Sequence, residues 1–440
     1  MASAERVVRT PWTAPQMAAT LLGFVSAWAF LHILAQTGFY GGGPYEPNVE
    51  IYREWASQIF GGAMPYRDFP FVYPPLSLPA FLLPGFVSDG ARNYDLYQLG
   101  FELEMLACGL ALAWCVIDIC RSLAVPKRRL RAVAVALLLT PPVVGPLLMD
   151  RYDLWPAALT AAAIAALLRG HRRVAFALLA LGIGAKVYPV VLAPVFLVYI
   201  WRQSGRRAAI TASIVGVTTG LAILVPFLVV ARAGTVTAIR IIFDRPPQIE
   251  SLGAALLFVR HALFGGPLRL GSSFGSKNLL EPLADRLALA QSVVLVISLV
   301  ALWTWHARRK GDADPGRTTV TVAAASVALY VALGKVLSDQ YVIWLIPLVL
   351  IVPGRRGTVA VAIFALAAAM TAAFYPGMYV LYSTAPDLPV SLFALARALV
   401  LLALAIVLAV DISALWQRWR PLSRRVRRPD RRPQPVPGEP

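Results

Sequence analysis

Residues 174–201 read VAFALLALGIGAKVYPVVLAPVFLVYIW, an apolar run with basic clusters on both sides, Arg169 to Arg173 before it and Arg202 to Arg207 after it. Cationic flanks mark the side of a bilayer on which the insertion machinery retains positive charge, so one full crossing would leave a cluster on the wrong side. The interruption Gly184-Ala-Lys-Val-Tyr-Pro189 resolves the conflict. Pro189 removes a helical hydrogen bond, and Lys186 is costly in hydrocarbon, which predicts a bent pair of short helices with Lys186 near the far apex. The same construction recurs over 318–353, where Gly334-Lys-Val-Leu-Ser-Asp-Gln-Tyr341 breaks a second run flanked by arginines. Irregular polar backbone at membrane depth is tolerated only where protein or a water-filled cavity covers it, so both apices are expected to face one cavity.

Working outward, 58% of the 440 residues are hydrophobic and 15% are charged, with a mean hydropathy of +0.66. That is more apolar surface than a soluble domain can hide. The segments are about 17 to 30 residues long, the length of membrane-spanning helices rather than of the alternating strands of a barrel. The net charge of +18 sits in short clusters between these segments, as at Lys127 to Arg131 and Arg308 to Arg317, which favours the positive-inside pattern and speaks against nucleic acid as a partner. Cys108, Cys115 and Cys120 fall in one apolar segment without disulfide or zinc spacing. No metal-ligand spacing and no glycine-rich nucleotide loop occur, so no metal or other cofactor is expected.

The expected fold is therefore all-α, a polytopic transmembrane helical bundle of about twelve membrane segments, some short and broken, with structured extracytoplasmic loops. Both termini are placed on the cytoplasmic side of the plasma membrane: residues 1–16 precede the bundle, residues 17–415 form it, and the basic, proline-rich 416–440 is a cytoplasmic tail. Outer loops are expected at 39–94, 149–153, 233–285 and 375–389. Two of them are long and dense in polar and aromatic residues, which argues for a site at the outer membrane face. Glu46, Asn48, Glu50, Tyr52, Asp68 and Tyr73 come from the first loop, Arg151 and Asp153 from the second, and Arg245, Gln248 and Glu250 from the third. Lys186, Tyr188, Lys335, Ser338, Gln340 and Tyr341 complete the set from the two apices. Glu102 and Glu104, near the outer end of the second span, are also placed to face the cavity. Carboxylates, cations and hydroxyls gathered from distant segments suit an anionic phosphate leaving group beside a polar acceptor.

Six short blocks, in order, carry a resemblance: Tyr52-Arg-Glu-Trp-Ala; Gly62-Ala-Met-Pro-Tyr-Arg-Asp-Phe leading to Tyr73-Pro-Pro-Leu; Asp150-Arg-Tyr-Asp-Leu-Trp-Pro; Lys186-Val-Tyr-Pro; Arg245-Pro-Pro-Gln-Ile-Glu-Ser; and Lys335-Val-Leu-Ser-Asp-Gln-Tyr-Val-Ile-Trp-Leu. They resemble the bacterial membrane glycosyltransferases of the C-type superfamily, particularly the actinobacterial polyprenol-phosphate-mannose-dependent mannosyltransferases. The resemblance implies a polyprenyl-phosphate sugar donor, a lipid or glycan acceptor, surrounding membrane lipids, and a carboxylate in the first outer loop acting as general base. The family aspartate would fall at Asn48, whose amide cannot act as a base. Glu50, at the start of an amphipathic segment, is the first substitute, with Glu46 and Asp68 as alternatives. By position, Lys186, Arg245, Lys335, Ser338 and Gln340 are assigned to the donor phosphate. Asn48, Tyr52, Tyr73, Arg151, Asp153, Tyr188, Gln248, Glu250 and Tyr341 are assigned to sugar or acceptor.

Two other classes fit part of the pattern. Broken helices in corresponding places also mark secondary transporters, so a lipid or anion flippase is the first rival, against which the long outer loops argue. A relative that binds a lipid-linked sugar without turnover is the second, and Asn48 is its motive.

Overall fold

The computed structural model describes residues 12–40, 49–273, 275–309 and 311–410. One compact unit extends to Ala409. The chain opens with α1 (Ala14–Gln36), then α2 (Glu50–Phe60), α3 (Leu78–Val87), α4 (Tyr94–Ser122), α5 (Lys127–Val144), the single turn α6 (Leu147–Asp150) and α7 (Leu154–Leu168). The first broken run forms α8 (Arg172–Ala185), a 3-10 turn over Tyr188–Leu192 and the long α9 (Ala193–Val230). Next come α10 (Arg232–Asp244), α11 (Leu252–Phe264), an antiparallel hairpin of β1 (Leu270–Ser273) and β2 (Ser276–Leu279), and α12 (Pro282–Arg308). The second broken run forms α13 (Pro315–Leu333), a 3-10 turn over Asp339–Tyr341 and α14 (Val342–Leu350). Last are α15 (Gly354–Ala373), α16 (Tyr379–Thr384) and α17 (Leu388–Ala409).

Among the described residues, seven helical stretches are long and apolar enough to cross a bilayer, and four shorter apolar helices accompany them. The chain is an all-α polytopic membrane protein. Its solvent is visible in the packing. Leu289, Val293, Val296, Ile297 and Val300 of α12 are all exposed, and so are Ile210, Ile214 and Val225 of α9. Patches of this extent mark a surface that water does not cover, and lipid tails are as apolar as leucine. At the centre the pattern inverts: every residue of α14 is buried, as is most of α13.

The sequence explains the boundaries. α9 is broken at Gly205, whose φ of 80° is accessible to glycine at little cost, so the basic stretch 202–207 is the turn between two helices. Asn93 caps α4 by accepting from the Leu96 amide at 3.0 Å, and Asp314 caps α13 by accepting from the Arg317 amide at 3.1 Å.

Several expectations are corrected. The proline-rich 72–84, read as loop, carries into helix α3, because Pro79 stands in the first helical turn, where its missing N–H costs nothing. At ten residues it is too short to span and packs instead between α2 and α4. The segment 149–153 is no solvated loop: it includes the end of α6, and Asp150 and Asp153 are both fully buried. The segment 233–285, by contrast, is structured, as expected, and holds most of α10, α11 and the hairpin. Glu102 does not face a cavity but accepts from Trp28 Nε1 at 3.1 Å and contacts His32 Nδ1 at 3.2 Å, tying α4 to α1. Glu46, Asn48 and the tail 416–440 lie outside the described residues.

Candidate active site

Helix α8 ends at Ala185, and Lys186 is extended (φ −159°, ψ 138°), which swings its side chain out of the helical path. Its ammonium donates to Asp153 Oδ1 at 2.6 Å and stands 4.4 Å from the Tyr152 ring centroid, 5.5 Å from that of Trp344 and 5.7 Å from that of Tyr73. Trp344 Nε1 donates to the same Asp153 oxygen at 2.6 Å. Asp153 thus fixes one cation and one indole through a single oxygen, while its Oδ2 accepts no hydrogen bond. Trp344 is also sandwiched between Tyr188, at 4.3 Å, and Tyr341, at 3.8 Å, so the two helix breaks are joined by a stack of three rings. Each such pair contributes about 0.5–1.5 kcal/mol beyond its buried area.

The backbone freed by the second break is satisfied by protein. The Gly334 carbonyl accepts from Gln291 Nε2 at 2.9 Å, the Lys335 carbonyl from the Gln248 amide at 3.0 Å, and the Tyr341 amide donates to the Ser338 carbonyl at 2.9 Å. Gln248 also pairs with Asn278 as an isolated bridge, which ties the hairpin to the break.

Both breaks open on one cavity of about 890 Å³. Its polar part is lined by Lys186, Arg245, Ser276, Ser338, Gln340 and the rings of Tyr66, Tyr73, Tyr188 and Tyr341. Arg245 Nη2 donates to Ser276 Oγ at 2.7 Å, and Ser338 Oγ donates to Gln340 Oε1 at 2.6 Å. The rest is apolar, walled by α8, α9 and α10. In the second half of α9 the lining includes Ser213, Gly216, Val217, Gly220, Leu221 and Leu224, a stripe at helical spacing. Eleven rises along that helix make a wall about 16 Å long. Gly184 faces Ile223 and Leu76, and Gly216 lets Phe176 approach so closely that a Cβ there would stand 3.0 Å from its ring. A cation-bearing end joined to a long hydrocarbon trough fits an amphiphile with an anionic head.

The other sequence-named residues divide. Tyr52 is buried in an aromatic nest, stacked on Phe81 at 4.5 Å and edge-on to Tyr152 at 5.9 Å, behind the cavity wall. Arg151 donates to the Tyr375 hydroxyl at 2.7 Å and lies 3.9 Å from Asp150. Lys335 does not line the cavity: its ammonium donates to the Phe243 carbonyl at 2.6 Å, at the C-terminal end of α10, where a cation is stabilised by the helix dipole. Gln248 and Glu250 are buried beside the cavity, linked at 3.2 Å.

Glu50 is half-exposed on α2 and held by Arg53 at 2.5 and 2.9 Å, which lowers its carboxyl pKa. Asp68 accepts from Arg67 at 2.9 Å and from the Met64 amide at 2.7 Å, and these partners hold it at about 2. Neither lines the cavity. A depressed carboxyl contributes stability above its unfolded value near ~4 and loses it as pH falls through about 2, so Asp68→Asn is expected to leave the pH profile of activity between pH 5 and 8 unchanged.

Sequence reasoning missed Trp344, which orders both breaks, and Arg397 of α17. Arg397 is 1% exposed and is paired with Asp339 and, at 3.2 Å, with Glu250. A lone arginine inside the 22 residues of α17 was the available signal, because an intramembrane cation requires partners.

Fold and composition make this chain a membrane protein, and its family makes it a membrane glycosyltransferase. Residues 71–333, more than half of the chain, match Glycosyltransferase family 87, and the chain belongs to that family. No curated protein matches it.

Proposed function

We propose that the protein transfers a sugar, mannose being the favoured one, from a polyprenyl-phosphate donor to a lipid or glycan acceptor at the extracytoplasmic face of the plasma membrane. The observation that carries this reading is the shape of the cavity, a hydrocarbon trough ending at Lys186 and Arg245. The prenyl chain lies along α9. Lys186 and Arg245 take the phosphate, with the Ser338 hydroxyl and Gln340 amide beside them. As the bond from the sugar's anomeric carbon to the phosphate oxygen breaks, the leaving group gains charge that these fixed cations stabilise. The acceptor hydroxyl forms the new bond from the opposite side and gives its proton to a carboxylate. Asp153 is a positioning residue, since it aims Lys186 while remaining fully buried.

Glu50 and Asp68 are each engaged by a neighbouring arginine away from the cavity, which favours Glu46 as the base. Glu46→Gln is expected to lower kcat by about 10²-fold, a typical general-base contribution. Glu50→Gln and Asp68→Asn should each change it by less than about threefold, as befits exposed ion pairs. Loss of transfer in Glu50→Gln with full activity in Glu46→Gln would reverse the assignment.

The direct test supplies membranes containing the chain with radiolabelled polyprenyl-phosphate mannose and a lipid acceptor; product no greater than in control membranes refutes mannosyl transfer. The trough has its own test. A Cβ at Gly220 meets nothing within 4 Å, so Gly220→Leu projects into open space and tolerates folding. It is expected to raise KM about tenfold for a long-chain donor, the effect of lost burial of one or two methylenes, and to spare a short-chain analogue. Equal KM changes for both chain lengths would place the prenyl chain elsewhere.

A further inference from the structure

A second polar pocket, of about 410 Å³, lies where the C-terminal end of α12 meets the first half of α9 and the start of α13, and it shares no lining residue with the donor cavity. It is lined by Arg202, Gln203, His306, Arg309, Asp312 and Thr319, with Tyr199 beside them. His306 and Thr319 are each 2% exposed, yet neither ring nitrogen of His306 and not the Thr319 hydroxyl has a hydrogen-bond partner. Buried polar groups are nearly always paired because leaving them unpaired forfeits their hydration, so three such atoms at one pocket call for a ligand. Two guanidiniums stand with them. Arg202 donates to the Ala307 carbonyl at 2.9 Å and to that of Arg309, which latches α9 to α12, and Arg309 lies 5.2 Å over the Trp305 ring. Asp312 supplies the opposite charge: its Oδ2 is 3.8 Å from Arg309 Nε and accepts no hydrogen bond.

The pocket adjoins an apolar groove of about 810 Å³ on the exposed face of α12, and Arg309 belongs to both. The groove runs over Val296, Ile297 and Val300 to Trp305 and Arg308. An anion from solution has no use for it, whereas an acyl chain does. Basic pockets between membrane helices are a recurrent way of holding anionic head groups.

We propose that this pocket binds the head group of a membrane phospholipid, its phosphate on Arg202, Arg309, His306 and Thr319, a further N–H or O–H donor of the head group on Asp312, and an acyl chain in the groove along α12. Phosphatidylethanolamine and phosphatidylglycerol carry such a donor; phosphatidylcholine does not.

The test uses the full chain, equilibrated with mixed liposomes of these three lipids, extracted, and analysed by native mass spectrometry. The donor-bearing lipids are expected to be retained about fivefold over phosphatidylcholine, the value of one additional hydrogen bond. Asp312→Ala, which removes a side chain only 9% exposed from the turn after α12, removes that preference. His306→Phe with Thr319→Val lowers retention of all three, and Val300→Trp, which fills the exposed groove without touching the core, does the same. Millimolar inorganic phosphate leaves the bound lipid in place. Equal retention of the three lipids, an unchanged preference in Asp312→Ala, or displacement by phosphate overturns the proposal. Glycosyl transfer in these variants stays within about twofold of the unsubstituted chain, because the donor cavity shares no lining residue with either the pocket or the groove.

Discussion

Replacing Lys186 by methionine is expected to lower transfer by about 10³-fold, the largest catalytic effect of any single substitution in the cavity. The side chain places its charge where the two helix breaks meet, on Asp153 and beside the Trp344 ring, and a fixed donor to a developing oxyanion is worth about 10² to 10³ in kcat. A confounding loss of stability accompanies it. Without Lys186 the Asp153 carboxylate keeps one partner, Trp344 Nε1, and is fully buried, so the single variant is expected to lose about 3–5 kcal/mol of stability. Combining Lys186→Met with Asp153→Asn separates the two effects. The amide oxygen introduced there still accepts from Trp344, no buried charge is left alone, and the thermal midpoint recovers while transfer does not. If transfer recovers along with the midpoint, Lys186 serves the fold and not the phosphate. Thermal unfolding in detergent beside the radiolabel assay reads both quantities from the same preparation.

The pairing of Lys186 with Asp153 also shows how far the sequence could be read. A lysine in a broken apolar run announces a buried cation, and two runs broken in the same way announce a shared cavity; the breaks at Lys186 and at Gly334–Ser338 meet that expectation in their geometry. What sequence could not supply is the partner. Asp153 is 33 residues from Lys186, and Trp344 is 191 residues from Asp153, so neither contact follows from local spacing. Lys335 illustrates the opposite error. Its block shares a glycine and the Lys-Val pair with the Lys186 block, but this lysine donates to the carbonyl end of α10 and does not line the cavity. Helix α3 inside the first outer segment is hard to see in the sequence because it is short and proline-rich, although proline in the opening turn of a helix is favourable. The apolar trough was not legible at all: α9's lining stripe reads like any lipid-facing helix, and only its apposition to α8 and α10 makes it a channel wall.

Arg397→Met is expected to destabilise the chain by about 3–5 kcal/mol, because it strands Glu250 and Asp339, which are 2% and 4% exposed, without their only cation among the described residues. The cluster holds two carboxylates against one guanidinium, which also lies 4.5 Å over the Phe374 ring. Burial, and then the neighbouring Asp339, push the Glu250 carboxyl well above the usual range. The sign of the pH dependence follows. A carboxyl whose folded value is raised binds its proton more tightly when folded, so its contribution is complete below the unfolded value near ~4.3 and is lost as pH rises toward the folded one. Stability is therefore expected to decline from pH 5 upward, Arg397→Met to steepen the decline, and Glu250→Gln, which copies the protonated acid, to flatten it. Asp339 begins the turn that sets Ser338 and Gln340 on the cavity wall, so loosening it reaches the donor site through one peptide bond. For that reason Arg397→Met is expected to raise KM for the donor more than it lowers kcat. Melting curves at pH 5, 7 and 9 decide the question. A wild-type midpoint independent of pH, together with an Arg397→Met variant that melts normally, would show that this arginine does not hold the break in place.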